Sequence, residues 1–298
     1  MNEKQLQRLP YWLKKQTSKN QYQRKIRKKL PENINTVCES AKCPNRGECF
    51  SKGTVTFMIL GNICTRFCSF CAIEKNIDKK PLPIDSKEPF EVAKAVAALD
   101  LNHVVVTSVT RDDLPDGGAT HFAKTIDAIR DNFPTTSIEV LVPDFIGNKF
   151  SLDIVLKEKP AVFNHNLETV PSLYKKVRPQ ADYRRSLEVL SYAKNFLLNH
   201  GYTSTLLKSG IMVGLGETIS EIKATLHDLK TVGIDIVTIG QYIAPSKKHL
   251  QVVEYIKPEQ FDKYTEIGKE IGVPFVFAGP LVRSSYHAEE IKKRGGLI

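Results

Sequence analysis

Long apolar segments are absent from the sequence. No run of about 18 apolar residues occurs in its 298 residues, so no conventional membrane-spanning helix is expected. The first residues, Met1 to Gln5, also lack the apolar character of a secretory signal peptide. We therefore expect a cytoplasmic protein without a membrane partner.

Cysteine is absent after position 71. All six cysteines fall between Cys38 and Cys71, in two groups of three. A disulfide framework would distribute its cysteines through the fold, and a cytosolic chain of this size does not need one. Local groups of three cysteines are instead typical of metal sites, because thiolates are soft ligands that select zinc or iron–sulfur clusters.

The first triad is Cys38, Cys43 and Cys49, with the spacing C-x4-C-x5-C. Pro44 and Gly47 lie between these cysteines and are typical of a loop. The triad has no obvious fourth ligand nearby. Besides an iron–sulfur site, the alternative here is a zinc loop that is completed by a distant residue.

The second triad is Cys64, Cys68 and Cys71, with the spacing C-x3-C-x2-C. It follows an apolar, β-branched run over 54–60 that predicts a strand. Three ligands leave a cubane cluster one position short, so one iron would stay open to another molecule. A zinc loop that lacks its fourth ligand is again the alternative.

After the second triad the chain alternates between predicted helices and strands. With 54–60, the predicted strands are 102–107, 137–142, 161–166, 205–213 and 234–242. The predicted helices are 88–98, 119–132, 152–157, 183–199, 218–231 and 258–271. This alternation predicts an α/β fold, a partly open six-stranded β/α barrel of the TIM type, with active groups at the carboxyl ends of the strands. The apolar run 275–278 is not counted among the six strands.

Polar residues follow several of the predicted strands. Between Thr107 and Gly118, the adjacent carboxylates of Asp112 and Asp113 should repel each other unless a cation or a ligand amino group compensates them. Gly117 and Gly118 allow a ligand to approach the backbone closely, or simply form a turn. A second glycine loop, 214–218, lies before a predicted helix and could bind an anion.

The formal net charge is +10, and much of it lies early in the chain. The early cations are Lys14, Lys15, Lys19, Arg24, Lys25, Arg27, Lys28 and Lys29. Such a run is usually a solvated arm, and the functional alternative is an acidic partner. No nucleic-acid-binding module is visible, so nucleic acid is not expected as a partner.

Together these motifs resemble the lipoyl synthase family of the radical S-adenosylmethionine (SAM) superfamily. The resemblance extends from Trp12 to the C-terminal helix. Its most specific marks are 36–45 with Cys49, the CTRFCSFC stretch at 64–71, residues 107–118, and the RSSY motif at 283–286. The resemblance implies a partial barrel of the radical SAM type over 54–278. An extension over 1–53 would carry the auxiliary-cluster loop, and 279–298 would hold the serine motif and a helix.

The resemblance also implies two 4Fe–4S clusters, with SAM as co-substrate. The second triad would hold the cluster that cleaves SAM, and the first triad an auxiliary cluster. In the family a serine of the RSSY motif completes the auxiliary cluster; we place it at Ser285, with Ser284 as the alternative. A pair of serines at a helix start is otherwise typical of an N-cap.

The predicted catalytic residues are Cys64, Cys68, Cys71 and Ser285. The residues predicted to contact SAM lie mainly at strand ends. They are Thr107, Asp112, Asp113, Gly117, Gly118, Glu139, Asn164, Glu168 and Arg178. For each polar residue singly, a structural or surface role is the alternative.

The implied activity is that of a radical SAM sulfurtransferase in lipoate biosynthesis. It inserts sulfur at C6 and C8 of an octanoyl chain that is bound to a lysine, and it consumes the auxiliary cluster. The implied partners are an octanoylated lipoyl-accepting domain, either of the 2-oxoacid dehydrogenase E2 type or a glycine cleavage H protein. An electron donor such as flavodoxin or ferredoxin and an iron–sulfur carrier are also implied.

Two other classes remain open from the sequence. A biotin-synthase-like enzyme would share the second triad but not the first triad or the C-terminal serines. A non-enzymatic iron–sulfur or zinc protein would have to supply four protein ligands to each cluster and would not need so large an α/β body.

Overall fold

A computed structural model describes residues 8–14, 27–31, 34–41, 43, 45, 48–49, 54–76 and 80–285. Its central element is a sheet in which eight strands follow the order β1-β2-β5-β6-β7-β8-β9-β10. The strands are β1 Asn35–Thr36, β2 Thr56–Ile59, β3 Ile63–Cys64, β4 Glu74–Lys75, β5 His103–Ser108, β6 Ser137–Leu141, β7 Val162–Asn164, β8 Leu206–Val213, β9 Ile236–Gln241 and β10 Phe275–Gly279. A separate pair, β3 and β4, runs in parallel on either side of the second-triad loop.

The neighbouring strands from β2 to β10 are all parallel within this sheet, and β1 joins β2 in the antiparallel direction. This arrangement confirms the predicted α/β class. The predicted count of six strands is too low, because β10 pairs in parallel with β9 over five positions. A short apolar run such as 275–279 does not show by itself whether it forms a strand; its pairing along β9 decides this.

Helices connect the parallel strands. They are α1 Val37–Ser40, α2 Glu88–Leu99, α3 Ala119–Asn132, α4 Lys149–Lys157, α5 Tyr174–Val177, α6 Tyr183–Asn199, α7 Ile219–Thr231 and α8 Pro258–Ile271. Several of these helices begin or end at residues that are typical of helix ends. Thr218 and Glu221 form a capping box at the start of α7, and Gly272 ends α8 in the left-handed conformation at φ 87°.

The core lies on both faces of the parallel strands. Val104, Val105 and Val106 of β5 are all fully buried, so the strand has no solvent face. Such continuous apolar strands are typical of a parallel sheet that is covered by helices. Among the described residues, no helix has both the length and the apolar character needed to cross a membrane.

The predicted domain boundaries remain predictions. Of the N-terminal extension 1–53, the structure describes a part, in which β1 pairs with β2 of the barrel through Asn35 and Met58. Residues 286–298 of the predicted C-terminal helix lie outside the described residues.

Candidate functional site

The loop of the second triad is held by residues that follow β5 and by residues of α5. The backbone N–H and the side-chain hydroxyl of Thr65 both donate to the carbonyl oxygen of Thr110, each at 3.0 Å. The N–H of Asp112 donates to the same hydroxyl at 3.1 Å. On the other side, the hydroxyl of Ser69 donates to the carbonyl of Lys176 at 2.7 Å. These hydrogen bonds attach the loop to the barrel on both sides.

Asp112 and Asp113 are compensated by arginines of the chain itself. Arg66, inside the second-triad loop, binds Asp112 with two hydrogen bonds of 2.7 and 2.9 Å. Arg111 binds Asp113 in the same forked manner, with its closest contact at 2.8 Å. The repulsion expected from the sequence is relieved by these pairs, which do not require a ligand amino group. Contact of either carboxylate with SAM stays a prediction.

Asp144 is the buried centre of this charge network. It is fully buried, and it accepts hydrogen bonds from Arg66 at 2.5 Å and from Arg185 at 2.8 Å. Burial alone would raise the pKa of Asp144, but the hydrogen bonds and charge of Arg66 outweigh it and hold the pKa well below its usual range. Asp144 thus anchors the arginine that lies between Cys64 and Cys68.

Replacing Asp144→Asn is expected to lower the free energy of unfolding by about 3 to 5 kcal/mol, because it leaves two arginines facing a neutral amide in the interior. Urea unfolding under anaerobic conditions measures this. Asp127→Asn is the matched control, since Asp127 pairs with Arg130 at 3.6 Å on the surface and its side chain is 56% exposed. The control should change stability by less than about 1 kcal/mol. Equal effects of the two substitutions would contradict the anchoring role.

Gly117 and Gly118 form the turn before α3. Both have positive φ angles, 61° and 91°. A Cβ at Gly118 would clash with the side chain of Leu60, and one at Gly117 would lie 2.9 Å from the ring of Phe145. The turn and its packing thus account for both glycines. Thr107 donates to the carbonyl of Leu141 at 2.7 Å. Binding of SAM by these three residues stays a prediction.

Glu139 and Asn164 face each other inside the sheet. Both are fully buried. Lys208 of β8 binds both oxygens of Glu139, at 2.9 and 3.0 Å, and the amide of Asn164 donates to Glu139 at 3.0 Å. These contacts favour the structural alternative for Glu139, whereas the buried Oδ1 of Asn164 has no hydrogen-bond partner among the described residues. Their predicted contact with SAM remains untested.

Arg178 and Glu168 lie beside the second triad. Nη1 of Arg178 donates to the carbonyls of Asn166 and Leu167 at 2.9 and 3.2 Å. Its Nε is buried and has no hydrogen-bond partner among the described residues. Burial raises the pKa of Cys68, and the charge of Arg178 opposes that rise. Arg178 therefore places a cation, with one donor still available, near this cysteine.

The glycine loop at 214–218 already holds an anion of the chain. The carboxylate of Glu217 accepts hydrogen bonds from the N–H groups of Gly214 and Leu215, at 2.5 and 2.9 Å. An external anion would have to displace it. The loop therefore does not support the predicted anion site.

A cavity of about 390 Å³ joins the two triads. It lies where the carboxyl ends of β6, β8 and β9 meet the first-triad loop and the C-terminal residues. The predicted ligands in its lining are Cys38, Cys43, Cys49, Cys71, Ser284 and Ser285. Its apolar wall includes Ile211, Met212 and Ile243. Its volume is within the range of small-molecule pockets, and its wall suits an alkyl chain.

The first-triad loop is attached to the C-terminal motif. The side-chain amide of Asn45, which is almost fully buried, donates to the carbonyl of Leu281 at 2.6 Å. The N–H of Cys43 donates to the carbonyl of Cys38 at 3.2 Å. The structure therefore brings the first triad and both serines to one side of the cavity.

The donor chemistry of both triads fits iron–sulfur clusters. None of the six cysteines forms a disulfide. No three His, Cys, Asp or Glu side chains of the described residues converge as one metal ion requires. A cubane cluster does not need that arrangement, because each of its cysteines binds a different iron. Burial raises the pKa of Cys38 and of Cys71 to about 11, so cluster loading must release protons from these thiols.

The basic arm is described only in part. Arg27 lies 3.6 Å from Glu39, and the ammonium group of Lys29 donates to the carbonyl of Ala98 at 2.8 Å. These two cations already have partners within the chain. Of the early cations, the structure describes Lys14, Arg27, Lys28 and Lys29. The remaining ones lie outside the described residues; they are Lys15, Lys19, Arg24 and Lys25.

Sequence reasoning missed three residues of the site. Arg66 is part of the CTRFCSFC stretch, but its partners were not foreseen; Asp144 and Asn166 were not singled out. Asn166 lines the cavity and hydrogen-bonds Ser284. The available signal is that Asp144 follows the predicted strand 137–142 and that Asn166 ends the predicted strand 161–166, both at the carboxyl edge of the sheet.

The sequence profile of the Radical SAM superfamily matches residues 58–229. A lipoyl synthase of Caldanaerobacter subterraneus subsp. tengcongensis is 57% identical over 256 residues, which cover 86% of this chain and 87% of the relative. A lipoyl synthase of Chlorobium chlorochromatii is 52% identical over 283 residues, 95% of this chain and 94% of the relative.

Solved structures share the fold at low sequence identity. The FeFe-hydrogenase maturase HydG from Carboxydothermus hydrogenoformans superimposes with a TM-score of 0.57 and 15% identity, over 82% of this chain and 66% of that chain. Methylornithine synthase (PylB) gives a TM-score of 0.51 and 13% identity, over 82% of this chain and 81% of that chain. These likenesses concern the fold alone.

Proposed function

The chain belongs to the lipoyl synthase family of the radical SAM superfamily, and we propose that its two triads carry different halves of that family's reaction. The reaction inserts two sulfur atoms, at C6 and C8 of an octanoyl chain on a lysine of a carrier protein. Its cofactors are two 4Fe–4S clusters, and SAM is the co-substrate. When bound, the cluster of the second triad would supply the electron that cleaves SAM into methionine and the radical that abstracts hydrogen, and the auxiliary cluster would supply the sulfur.

One observation carries the proposal: a single cavity is lined by all three cysteines of the first triad, by Cys71 of the second and by both serines. A substrate chain in this cavity lies between the two groups of ligands. The apolar wall, which includes Ile211, Met212 and Ile243, suits the octanoyl chain. The alternatives of a biotin-synthase-like enzyme and of a non-enzymatic metal protein find no support among the relatives described above.

For the fourth ligand of the auxiliary cluster, the contacts favour Ser285 over Ser284. The hydroxyl oxygen of Ser284 lies 2.6 Å from Nδ2 and 2.9 Å from Oδ1 of Asn166, so it both accepts and donates a hydrogen bond. No hydrogen bond to the hydroxyl of Ser285 occurs among the described residues, and Ser285 lines the cavity. Its oxygen is therefore the one available to iron.

For SAM, the contacts favour Arg178 and Glu168 among the predicted residues. The buried Nε of Arg178 can donate to a carboxylate, and Glu168 lines the cavity. Burial raises the pKa of Glu168, and the charge of Arg178 counteracts this rise. A carboxyl group in this position can accept a hydrogen bond from an amino or ribose hydroxyl group.

The partner is a lipoyl-accepting substrate protein. We propose that it is an E2 domain of a 2-oxoacid dehydrogenase or a glycine cleavage H protein. A flavodoxin or a ferredoxin would deliver the electrons, and an iron–sulfur carrier would rebuild the auxiliary cluster. These identities rest on the family alone.

The test of this proposal is Ser285→Cys. A thiolate binds iron more tightly than a serine oxygen, so the variant should hinder opening of the auxiliary cluster during sulfur transfer. We expect it to keep about eight irons, as two cubane clusters require. It should keep SAM cleavage and lose most of the lipoyl product, measured by mass spectrometry of an octanoyl-lysine peptide.

Two control variants accompany it. Ser220→Cys changes an exposed serine at the start of α7, away from the cavity, and should leave product formation unchanged. Ser284→Cys tests the other serine. If this variant lost the product while Ser285→Cys formed it normally, Ser284 would be the fourth ligand. Full lipoyl formation by both would show that the serine motif only caps a helix.

A further inference from the structure

The residues just before Ser285 pack onto two glycines in neighbouring strands. Gly210 lies in β8 and Gly240 in β9. Neither has a left-handed φ angle, so backbone conformation does not explain why they are glycine. A Cβ at Gly240 would clash with the carbonyl oxygen of Val282 and lie 3.3 Å from Nη1 of Arg283. Close approach of the C-terminal backbone is what requires this glycine.

Gly210 makes room for a polar pair. A Cβ there would lie 2.5 Å from Oγ1 of Thr238, 3.1 Å from Oδ1 of Asn166 and 3.3 Å from Oγ of Ser284. Both strands therefore leave space where the C-terminal motif meets the barrel. The two glycines and Asn166 together form what we call the motif seat.

Asn166 is held from more than one side. It is only 8% exposed. Its carbonyl accepts from Nη1 of Arg178 at 2.9 Å, and its side-chain amide donates to Glu168 at 3.0 Å. The same side chain makes the two contacts with Ser284. The barrel determines the position of Asn166, and Asn166 in turn holds Ser284 of the C-terminal motif in place.

We propose that Asn166 is a positioning residue for the auxiliary cluster: by holding Ser284 on the motif seat, it presents Ser285 to the first triad. The proposal rests on the proposed function, in which Ser285 is the fourth ligand. The motif is attached at two points, since Asn45 of the first-triad loop binds Leu281 and Asn166 of the barrel binds Ser284.

Positioning matters here because a serine oxygen is a weak ligand beside thiolates. A weak bond to iron cannot by itself order a mobile chain segment, so the protein must hold the oxygen in place beforehand. A ligand that is positioned by hydrogen bonds can also leave and return without rearrangement of the barrel. Such behaviour suits a cluster that is dismantled during the reaction.

The experiment is Mössbauer spectroscopy of the holoenzyme loaded with ⁵⁷Fe, with SAM bound to occupy the open iron of the other cluster. Ser285→Ala supplies the reference spectrum of an auxiliary cluster without its serine. Asn166→Ala should shift the unique-iron signal at least halfway toward that reference, with iron content unchanged. Asn148→Ala is the matched control, because Asn148 caps α4 at the surface and does not touch the motif; its spectrum should stay that of the wild type.

Two further variants guard against a simple loss of folding. Ser284→Ala removes the same contact from the other side and should give the same shift, and its combination with Asn166→Ala should add nothing. Asn166→Asp places two carboxylates together and should also shift the signal.

The positioning role would be overturned if Asn166→Ala and Ser284→Ala both gave the wild-type spectrum while Ser285→Ala gave a shifted one. The proposed function would then remain intact. An unshifted Ser285→Ala spectrum would remove the serine ligand itself, and the positioning role would fall with it.

Discussion

Replacing Cys68→Ala is expected to abolish the formation of 5′-deoxyadenosine from SAM. The variant removes one of three thiolates, and the resulting cluster cannot keep its open iron in place. Mutation of a residue that only supports a metal ligand typically lowers activity by about 10- to 100-fold. Loss of the ligand itself should therefore lower the rate of SAM cleavage by at least about 100-fold. The assay is chromatography of the nucleoside after anaerobic incubation with a chemical reductant.

The charge around Cys68 sharpens this expectation. Burial raises its thiol pKa, and the charges of Arg178 and Lys75 oppose that rise without cancelling it. Alanine offers iron no ligand atom at this position. SAM cleavage at the wild-type rate by this variant would show that the second triad is wrongly assigned.

Cys43→Ala is expected to separate the two halves of the reaction. It should retain SAM cleavage and yield no sulfur-containing product, because the second triad is untouched and the first triad can no longer hold the auxiliary cluster. Iron content should fall from about eight to about four per chain. Mass spectrometry of the octanoyl-lysine peptide provides the second measurement.

Cys43 and Cys68 are controls for each other. Both are half-buried cysteines in loops, and they lie in different triads of the same chain. If both variants lost SAM cleavage, the division between the triads would be wrong. If Cys43→Ala still formed lipoyl product, the first triad would not be the sulfur donor.

Local sequence predicted the helices well. The predicted helices 119–132, 183–199 and 258–271 agree with Ala119–Asn132, Tyr183–Asn199 and Pro258–Ile271. Two of them begin at residues that mark a helix start in sequence: the N-cap Asp182 and the first-turn Pro258. These signals act within a few residues, so they can be recognised without knowledge of the tertiary structure.

The sequence alone predicted the strands and the partners of polar side chains less well than the helices. Phe275–Gly279 becomes a strand only by pairing with β9. The sequence predicts that Glu139 and Asn164 bind SAM, which stays a prediction, and it gives no sign that Asn164 and Lys208 both donate to Glu139. A side chain at a strand end can face a ligand or a neighbouring strand, and its own sequence context is the same in both cases.

The sequence by itself determined the family of this protein and, with it, the prediction of two 4Fe–4S clusters. The cysteine spacings alone left a zinc loop open at either triad, and it is the resemblance to lipoyl synthases that implies iron–sulfur clusters with a serine of the RSSY motif as a ligand. Only the tertiary structure decided how these groups meet. Asn166 and Ser284 are 118 positions apart, and Arg66 and Asp144 are 78 apart. A buried polar group must find a partner somewhere, and the barrel, by bringing distant strand ends together, selects which one.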